Sequence, residues 1–401
     1  MTRPEQVDLL IVGGGMVGLT LAAALVDRGM RVVVLERSEP APPRRSLGID
    51  LRVSAIVCGN VAILRGIGGW PDAAEPIRRM EVWDDQGSGA IRFDAAELGA
   101  EGSGFLGCMV ENSALCDALR DRILRGEGVE LVAPDEVAEV RWRRDGVEVL
   151  SAAGLCWRTP LLVAADGARS ALRARAGIGV WRHDFRQQGI VATIRPEHHH
   201  RQVAWQRFLP TGPLALLPMA DGLCSIVWSA HQARAEALMA LDDAAFLREL
   251  QLAFGPQLGR IDQVGARAAF PLCSQLARHM VRPRLALIGD AAHAIHPLAG
   301  LGVNLGIRDA MVLADEILTA RRFGEDYGAM ALLAGWRRRR LPDVLATMAA
   351  MEGLHHLFTS RIAPLAALRG AGMRLVDNAG LIKRMLMRHA TGLALPVPRR
   401  L

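Results

Sequence analysis

The stretch that decides the fold spans residues 8–36 and reads DLLIVGGGMVGLTLAAALVDRGMRVVVLE. It opens with an apolar run, Leu9 to Val12, that suits a buried strand, continues with an apolar helical stretch, and returns to a strand at Val32 to Leu35. A strand–helix–strand unit of this kind is the building block of a parallel sheet. We therefore predict that the chain opens with an α/β domain.

Three glycines between the first strand and the helix follow the G-x-G-x-x-G spacing of nucleotide-binding turns. Gly13 permits the tight turn, Gly15 lets the backbone approach a pyrophosphate, and Gly18 lets the helix lie close to the strand. The helix N-terminus offers free N–H groups to phosphates. Glu36, at the end of the second strand, stands where an acid accepts hydrogen bonds from a ribose. The pattern predicts a bound dinucleotide but does not distinguish NAD from FAD.

Composition limits the function. The chain has 401 residues, of which 51% are hydrophobic and 22% charged, so it is globular and long enough for more than one core. The net charge is +6, but no segment mixes aromatic and basic residues as nucleic-acid sites do, and we predict no nucleic-acid partner. Lys383 is the only lysine, which excludes a P-loop and argues against Schiff-base catalysis. Tyr327 is the only tyrosine, which excludes a mechanism that needs a tyrosine pair.

The pattern changes between about residues 185 and 275. Short strand-like runs follow one another at 190–194, 203–209, 214–218 and 224–228, separated by loops. This pattern predicts antiparallel β structure and therefore a second domain. From about residue 303 to the end, helical patterns dominate.

Three further segments carry chemical groups next to predicted strands. AADGARSALR (164–173) follows a strand with Asp-Gly, although an ordinary turn with a capping serine would look the same. IGDAAHAIHP (288–297) offers an acid to a ribitol or ribose hydroxyl, and GLGVNLG (300–306) offers helix-start N–H groups to a carbonyl. DLRVSA (50–55) carries an arginine that can be buried.

With these segments in this order, the chain resembles the group A flavin monooxygenases, a family of aromatic hydroxylases, over nearly its whole length. Within that family it looks most like the ubiquinone-biosynthesis hydroxylases. The phrases that carry the closer likeness are DLRVSA, WQRFLPTGPLALLPM from Trp205 to Met219, SIVWS from Ser225 to Ser229, and AAHAIHPLAGLGVNLGIRDA from Ala291 to Ala310.

The resemblance implies an α/β fold in which a Rossmann-like FAD-binding domain carries an inserted, mainly antiparallel β-sheet substrate domain and a helical C-terminus. We expect a discontinuous FAD-binding domain from residues 1–75, 96–180 and 276–330. The substrate domain is expected from residues 76–95 and 181–275, and the helical region from residues 331–401.

The same resemblance implies FAD bound in an extended form, with the three glycines at its pyrophosphate and Glu36 at the adenosine ribose. Further positions that match the family's cofactor-binding residues are Arg37, Arg52, Asn112, Asp166, Gly167, Asp290, Gly302, Val303 and Asn304. Among them, Asp290 would meet the ribitol, and residues 302–304 would line the flavin pyrimidine edge. Asp166 and Gly167 match the motif linked to both FAD and reduced nicotinamide.

One departure from the family is visible. Members usually show Gly-Gln-Gly where this chain has Gly300-Leu301-Gly302. If the backbone N–H groups do the work, the loss of the glutamine matters little. If its side-chain amide matters, the flavin geometry changes.

The family reaction is hydride transfer to FAD, addition of O2, and attack of an electron-rich ring on the flavin C4a-hydroperoxide. We therefore expect FAD as the cofactor, with O2 and with NAD(P)H or another electron donor as co-substrates. Because the chain shows one dinucleotide fingerprint, reduced nicotinamide would dock transiently. His296 and Pro297 are the flavin-adjacent candidates, and no catalytic base is assigned.

Two groups of histidines are candidates for a metal site. His293 and His296 have a spacing that could hold a metal on a helix, but no cysteine or glutamate stands nearby. Packing, or a hydrogen bond near the flavin, is the favoured interpretation. The run from His198 to His200 is interpreted as surface histidines in a loop before a strand. We assign no metal site.

The preferred function is ring hydroxylation of a polyprenylated phenol in ubiquinone biosynthesis. Hydroxylation of a small soluble aromatic or a secondary metabolite stays open. So does another flavoprotein on this scaffold, such as a prenyl reductase; a halogenase is disfavoured because W-x-W-x-I-P is absent. A catalytically silent flavin-binding subunit of a biosynthetic complex is the alternative from a different class.

Location is inferred from composition. The six cysteines are scattered without C-x-x-C, which suits free thiols in a reducing cytosol. The stretch from Leu381 to Leu395 mixes apolar residues with Lys383, Arg384 and Arg388, as a helix at a membrane interface does, although core packing gives the same pattern. We expect a cytoplasmic protein without a membrane span, or one peripheral at the inner membrane or in a ubiquinone-biosynthesis complex. An oligomer is compatible with the sequence.

Overall fold

The computed structural model describes residues 4–40, 42–85, 89–101, 103–295, 302–359 and 363–394. Its helices are α1 (Met16–Leu25), α2 (Cys58–Gly66), α3 (Asn112–Leu124), α4 (Ala171–Arg175), α5 (Gln232–Ala240), α6 (Asp243–Phe254), α7 (Gly302–Arg322), α8 (Met330–Thr359), α9 (Ala363–Asn378) and α10 (Gly380–Ala390). Short 3₁₀ turns cover Ala95–Glu101, Ala220–Gly222 and Gly289–Ala291.

The strands are numbered in chain order. They are β1 (Glu5–Gln6), β2 (Leu9–Val12), β3 (Val32–Leu35), β4 (Arg45–Ser46), β5 (Ile49–Asp50), β6 (Val53–Val57), β7 (Glu75–Ile77), β8 (Arg79–Asp84), β9 (Ala90–Asp94), β10 (Gly107–Glu111), β11 (Val129–Val132), β12 (Val137–Trp142), β13 (Val147–Ser151), β14 (Cys156–Thr159), β15 (Leu162–Ala164), β16 (Val180–Pro196), β17 (Val203–Leu209), β18 (Gly212–Pro218), β19 (Cys224–His231), β20 (Ile261–Ala277), β21 (Val281–Arg282), β22 (Leu285–Leu287) and β23 (His293–Ala294).

The opening strand–helix–strand unit lies at the centre of a six-stranded sheet in the order β11-β3-β2-β15-β22-β21. The first five strands run parallel, and β21 is antiparallel to β22. β2 and β3 are entirely buried, because parallel strands are covered on both faces and their sequences are continuously apolar. The prediction that residues 9–35 begin a parallel sheet is confirmed, and β15 extends this sheet.

Residues 180–277 build most of an eight-stranded sheet, β23-β20-β16-β19-β18-β17-β8-β9. Its two longest strands, β16 and β20, pair antiparallel, and antiparallel structure is what the sequence predicted for this region. β8 and β9, from residues 79–94, join its far edge, where β8 runs parallel to β17. Two segments that are distant in sequence therefore share one sheet.

The two faces of this sheet are covered by different helices. On one face, Phe246, Leu250 and Phe254 of α6 pack against strand residues that include Trp228. The helices α5 and α6 were not predicted within the β region. Their sequence signal was present, because Asp242 caps α6 by accepting a hydrogen bond from the Ala245 N–H at 2.7 Å.

The opposite face of the sheet packs against the C-terminal helices. Its apolar side chains pack against α8 and α9 in one cluster. In this cluster the rings of Phe208 and Phe358 are stacked, with their centroids 3.7 Å apart. Arg369 of α9 forms a fully buried ion pair with Asp84 of β8 at 2.6 Å. The prediction of a helical C-terminal part is confirmed over α8, α9 and α10. Within the described ranges, no helix has both the length and the apolar character needed to cross a bilayer.

Candidate functional site

Four turns that the sequence singled out meet at one edge of the parallel sheet. Val12 pairs with Leu35 of β3 and with Ala164 of β15, and Ala164 pairs with Leu287 of β22. The residues that follow these strand ends therefore lie side by side. After β2 the chain forms β3 on one side of it, and it later returns to form β15 on the other side. This change of direction makes the edge a topological switch point, where α/β sheets bind ligands.

The three fingerprint glycines serve different purposes. Gly13 adopts φ +112°, and a Cβ there would lie 2.4 Å from the Ala165 carbonyl oxygen. A Cβ on Gly18 would lie 2.0 Å from the Gly13 carbonyl oxygen. Gly15, in contrast, has open space around it and begins α1 without a side-chain cap. Gly13 and Gly18 are therefore needed for the turn itself, whereas Gly15 leaves room at the N-terminus of the helix.

Glu36 stabilises this turn through two hydrogen bonds. Its Oε2 accepts a hydrogen bond from the Gly14 N–H at 2.6 Å, and its Oε1 accepts one from the Ser38 N–H at 3.0 Å. The residue is half-buried, and Arg37 beside it is exposed. The carboxylate is thus held at the rim of the open space beside Gly15, where the sequence predicted a ribose contact.

The second and third motif turns are joined by two buried side chains. Arg173 donates to the carbonyl oxygens of Ala291 at 2.8 Å and Ala168 at 2.9 Å. Gln275 of the long strand β20 donates to the Ala168 carbonyl at 2.7 Å. The turns that carry Asp166 and Asp290 are therefore fixed relative to each other.

Asp166 has one satisfied and one unsatisfied oxygen. Its Oδ2 accepts from the Leu172 N–H at 3.1 Å, and the serine that precedes α4 caps that helix. Its Oδ1 is buried and has no hydrogen-bond partner among the described residues. Gly167, next to it, has φ +80° and no atom near the position of a Cβ. An orphaned acceptor beside open space suits a ligand that donates a hydrogen bond.

Asp290 lines a cleft. The residue is exposed to solvent, yet protein surrounds it closely enough that desolvation raises the pKa of its carboxyl, and this combination is typical of a cleft. Interactions with His293 and Arg52 oppose this shift, so Arg52 lies near enough to act on Asp290. Arg52 is exposed, which differs from the buried arginine that the sequence suggested.

Two predicted amide side chains hold the scaffold together. The Oδ1 of Asn112 accepts from the Ser54 hydroxyl at 2.7 Å. The Asn304 amide donates to the Ala55 carbonyl at 2.7 Å and accepts from the Val57 N–H at 2.9 Å. These contacts tie the start of α7 and of α3 to β6. Gly302 and Val303 begin α7, both half-buried.

A buried charge network behind Asp290 was missed. Asp309 of α7 is fully buried, and its Oδ2 lies 2.6 Å from His293 Nε2 and accepts from the Gly289 N–H at 3.1 Å. Its Oδ1 accepts from Arg340 of α8 at 2.8 Å. Burial acts to raise the pKa of Asp309, but the interactions with His293 and Arg340 outweigh burial and lower it overall. The residues are 16 to 31 positions apart, so no local pattern could have paired them.

The structure corrects one histidine prediction and places another. His200 is buried, where a surface position was expected; its Nε2 lies 2.9 Å from the Met219 carbonyl oxygen, and its Nδ1 accepts from the Gln202 N–H at 3.0 Å. His293 has the packing and hydrogen-bonding position that was favoured. His296, Pro297, Gly300 and Leu301 lie outside the described residues.

The cleft suits a dinucleotide carrying a ribityl chain. The uncapped helix start at Gly15 is complementary to a pyrophosphate, and Glu36 to a ribose. The unsatisfied Asp166 Oδ1 and the desolvated Asp290 offer two further acceptors along the same edge. These features define a dinucleotide-binding protein with a second, antiparallel sheet placed beside the cofactor edge.

Comparison with known proteins narrows this class. A family model described as an FAD binding domain matches residues 6–344. Ubiquinone hydroxylase UbiL of Rhodospirillum rubrum is 41% identical, covering 96% of this chain and 89% of its own. The 3-demethoxyubiquinol 3-hydroxylase of Escherichia coli is 37% identical, covering 97% of this chain and 99% of its own.

The fold is also found in a solved structure. The p-nitrophenol 4-monooxygenase PnpA from Pseudomonas putida superposes with a TM-score of 0.81 at 20% identity, covering 96% of this chain and 99% of the other. The chain belongs to the group A flavin monooxygenases, the FAD-dependent aromatic-ring hydroxylases.

Proposed function

We propose that this protein hydroxylates the aromatic ring of a polyprenylated phenol in ubiquinone biosynthesis. One atom of O2 would replace a ring hydrogen, the other would leave as water, and NAD(P)H would supply the two electrons. The two relatives described above, each aligned over nearly the whole chain, support this choice.

The observation that carries the proposal is an apolar layer beside the cofactor edge. It lies between the eight-stranded sheet and the C-terminal helices and reaches Ile295 and also Leu305, which is in the first turn of α7. Its strand members include Val82, Ile91 and Phe208, and its helix members are Met351, Phe358 and Met373. Methionine-rich apolar surfaces adapt to flexible hydrocarbon chains. A prenylated ring would find an apolar environment here, and a small polar aromatic would not need it.

The residues proposed to hold FAD are those of the cleft. Gly15 and the first turn of α1 would take the pyrophosphate, Glu36 a ribose, Asp290 the ribitol, and Asp166 a further hydroxyl or amide group. FAD, once bound, supplies the hydride acceptor and the oxygen-activating group. Arg173 and Gln275 keep the turns in place, and the apolar layer excludes water from the reacting ring.

Ring activation must use a group other than tyrosine. Tyr327 donates a hydrogen bond to the Asp8 carbonyl at 2.9 Å, and Asp8 precedes β2, at the edge of the sheet opposite the glycines. Burial raises the pKa of Tyr327 to about 12. Its phenol therefore cannot take a proton from a substrate at the cofactor edge.

The domain division is proposed on the same basis. Residues 1–75, 96–180 and 276–330 would bind FAD, residues 76–95 and 181–275 the substrate, and the helices after 330 would close the apolar layer. Reduced nicotinamide would visit the site transiently, because the sequence holds one dinucleotide fingerprint. The protein would meet its lipid substrate as a peripheral protein at the inner membrane or within a biosynthetic complex.

Quinone profiling after gene disruption tests the proposal. The disrupted strain should lack ubiquinone and accumulate a prenylated intermediate with one fewer ring oxygen, and the intact gene should restore the quinone. A plasmid carrying the Asp290→Ala gene serves as the matched control, since it should restore less ubiquinone than the intact gene. Normal ubiquinone without an accumulating precursor, in a strain with no second hydroxylase for the step, would refute it.

A further inference from the structure

The last helix, α10, points its lysine inward and several large apolar side chains outward. Lys383, the only lysine of the chain, points inward and is 5% exposed. Its ammonium lies 3.0 Å from Glu97 and 3.0 Å from Asp377. Burial acts to lower the pKa of Lys383, but the two carboxylates outweigh burial and raise it. Met387, one turn further along, is also buried. The inward face of this helix therefore holds a charged side chain, Lys383, whereas Arg384 of the same helix is exposed.

The outward face of α10 holds large apolar side chains. Leu381 is 74% exposed, Ile382 55%, Met385 64% and Leu386 50%. Positions 381 and 385, and likewise 382 and 386, are four apart, so the four side chains form one stripe. Leu375 at the end of α9 is 70% exposed and extends the apolar surface of this helix pair. We call the five residues the α9–α10 apolar face.

This face is held rigidly by the chain that follows. The Gly59 N–H donates to the Thr391 carbonyl at 3.0 Å, and buried Arg308 of α7 donates to the Gly392 carbonyl at 2.8 Å. With Lys383 anchored as well, α10 cannot turn its apolar side chains inward without breaking buried contacts. Exposed apolar patches of this kind mark surfaces that bind another apolar surface.

The charges around this face indicate the kind of surface that it would bind. Between residues 363 and 390 the only carboxylate is Asp377, which is bound to Lys383. Arg374 and Arg384 are exposed on the same two helices, and Arg388 is half-buried. A helix with an apolar stripe flanked by arginines is complementary to acyl chains below anionic headgroups.

We propose that the α9–α10 apolar face docks on the surface of an anionic lipid bilayer, with α10 lying in the plane of the interface. The inference rests on the proposed function in one respect: a prenylated phenol resides in such a bilayer. Docking through α9 and α10 would bring the apolar layer, to which Met373 of α9 belongs, next to the membrane that holds the substrate.

Vesicle sedimentation tests the docking. The full-length holoprotein is mixed with vesicles of equimolar phosphatidylglycerol and phosphatidylcholine, and separately with pure phosphatidylcholine. The wild type should bind the anionic vesicles more strongly. Leu381→Glu combined with Met385→Glu should weaken that binding by at least about tenfold, and Arg384→Gln by about fivefold.

A matched control separates the face from general surface hydrophobicity. Leu252 of α6 is 78% exposed on a helix that packs on the substrate sheet, so Leu252→Glu should bind vesicles like the wild type. If the double variant loses its fold, the outward Arg384→Gln variant and the loss of binding at high salt carry the test.

Three results would overturn the proposal. The wild type could fail to bind anionic vesicles, or the double variant could bind as well as the wild type. Light scattering could instead show a wild-type oligomer that the double variant dissolves without any vesicle binding, which would assign the face to a second copy of the chain. Hydroxylation of a short-chain phenol in solution is measured separately, so failure of docking and failure of the proposed function are distinguishable.

Discussion

Helices α7 and α10 both bury charged residues, but they do so in different ways. Asp309 of α7 has its partners, His293 and Arg340, inside the fold, and both ends of this network are sealed from solvent. Lys383 of α10 is paired with carboxylates that remain about one-third exposed, while the opposite face of its helix is apolar and uncovered.

The difference separates two purposes of a buried charge. The network at α7 lies directly behind the Gly289–Asp290 turn, so its effect is internal: it fixes a segment of the cofactor cleft. The ion pairs at α10 determine which face of a helix points outward. The first feature is explained by the protein alone, whereas the second is the arrangement that the proposed membrane docking requires.

The largest expected effect is loss of the α7 network. Asp309→Ala leaves buried Arg340 without its anion and His293 without its hydrogen-bond partner, which costs about 3–5 kcal/mol of unfolding free energy. Glu316→Ala is the control on the same helix, because Glu316 forms a surface pair with Arg339 and should cost less than about 1 kcal/mol. Urea titration of both proteins measures the difference. Equal losses would mean that the network is not a distinct structural unit.

The cofactor cleft next to that network gives the second prediction. Asp290→Ala should weaken FAD binding by about ten- to a hundredfold, the effect of one charge-assisted hydrogen bond. The apoprotein should keep its stability, because Asp290 points into the cleft rather than the core. Flavin titration of the apoprotein is the measurement. An unchanged dissociation constant would count against Asp290 as the ribitol contact.

A buried base on α8 gives the third prediction. Burial, with the neighbouring His356, His183 and His231, lowers the pKa of His355 from 6.5 to about 4. Between these values the unfolded chain binds a proton that the folded chain does not, so the unfolding free energy rises with pH across this window. The slope from this group is at most about 1.4 kcal/mol per pH unit.

Replacing this base should remove its share of the slope. His355→Phe suits the aromatic surroundings, in which the ring of Phe185 lies 4.8 Å from His355. Unfolding free energies of this variant, measured from pH 5 to 7, should depend less on pH than those of the wild type and of the control His279→Gln, an exposed histidine that does not act on the pKa of His355. A slope that His355→Phe leaves unaltered would contradict the assignment.

The smallest expected effect concerns α10. Lys383→Met keeps the length of the side chain and removes its ion pairs, at a cost of about 1 kcal/mol, because Glu97 and Asp377 can regain water. A loss as large as that of Asp309→Ala would show that the two helices bury their charges in the same way. Urea titration again decides.

Features that depend on residues close together in the sequence could be predicted, whereas those that depend on distant residues could not. The glycine turn, Glu36 and the parallel strands are encoded within a few tens of residues, so their pattern was readable. Asp309, Arg340 and the inward position of Lys383 depend on contacts between distant segments. The pattern around Lys383, Arg384 and Arg388 left a membrane interface and core packing open, and ion pairs with Glu97 and Asp377 place Lys383 inward. His200 was misjudged for the same reason, since its burial depends on Met219 in another loop.

The most direct test of the central claim is oxygen incorporation by the purified protein. FAD-loaded enzyme, NAD(P)H and a prenylated phenol are incubated under heavy-isotope O2, and the product is examined by mass spectrometry. The account predicts a ring-hydroxylated product that carries one heavy oxygen atom, formed by the wild type and much less by Asp290→Ala. Oxidation of NAD(P)H without labelled product, or no turnover of a protein that holds FAD, would contradict it.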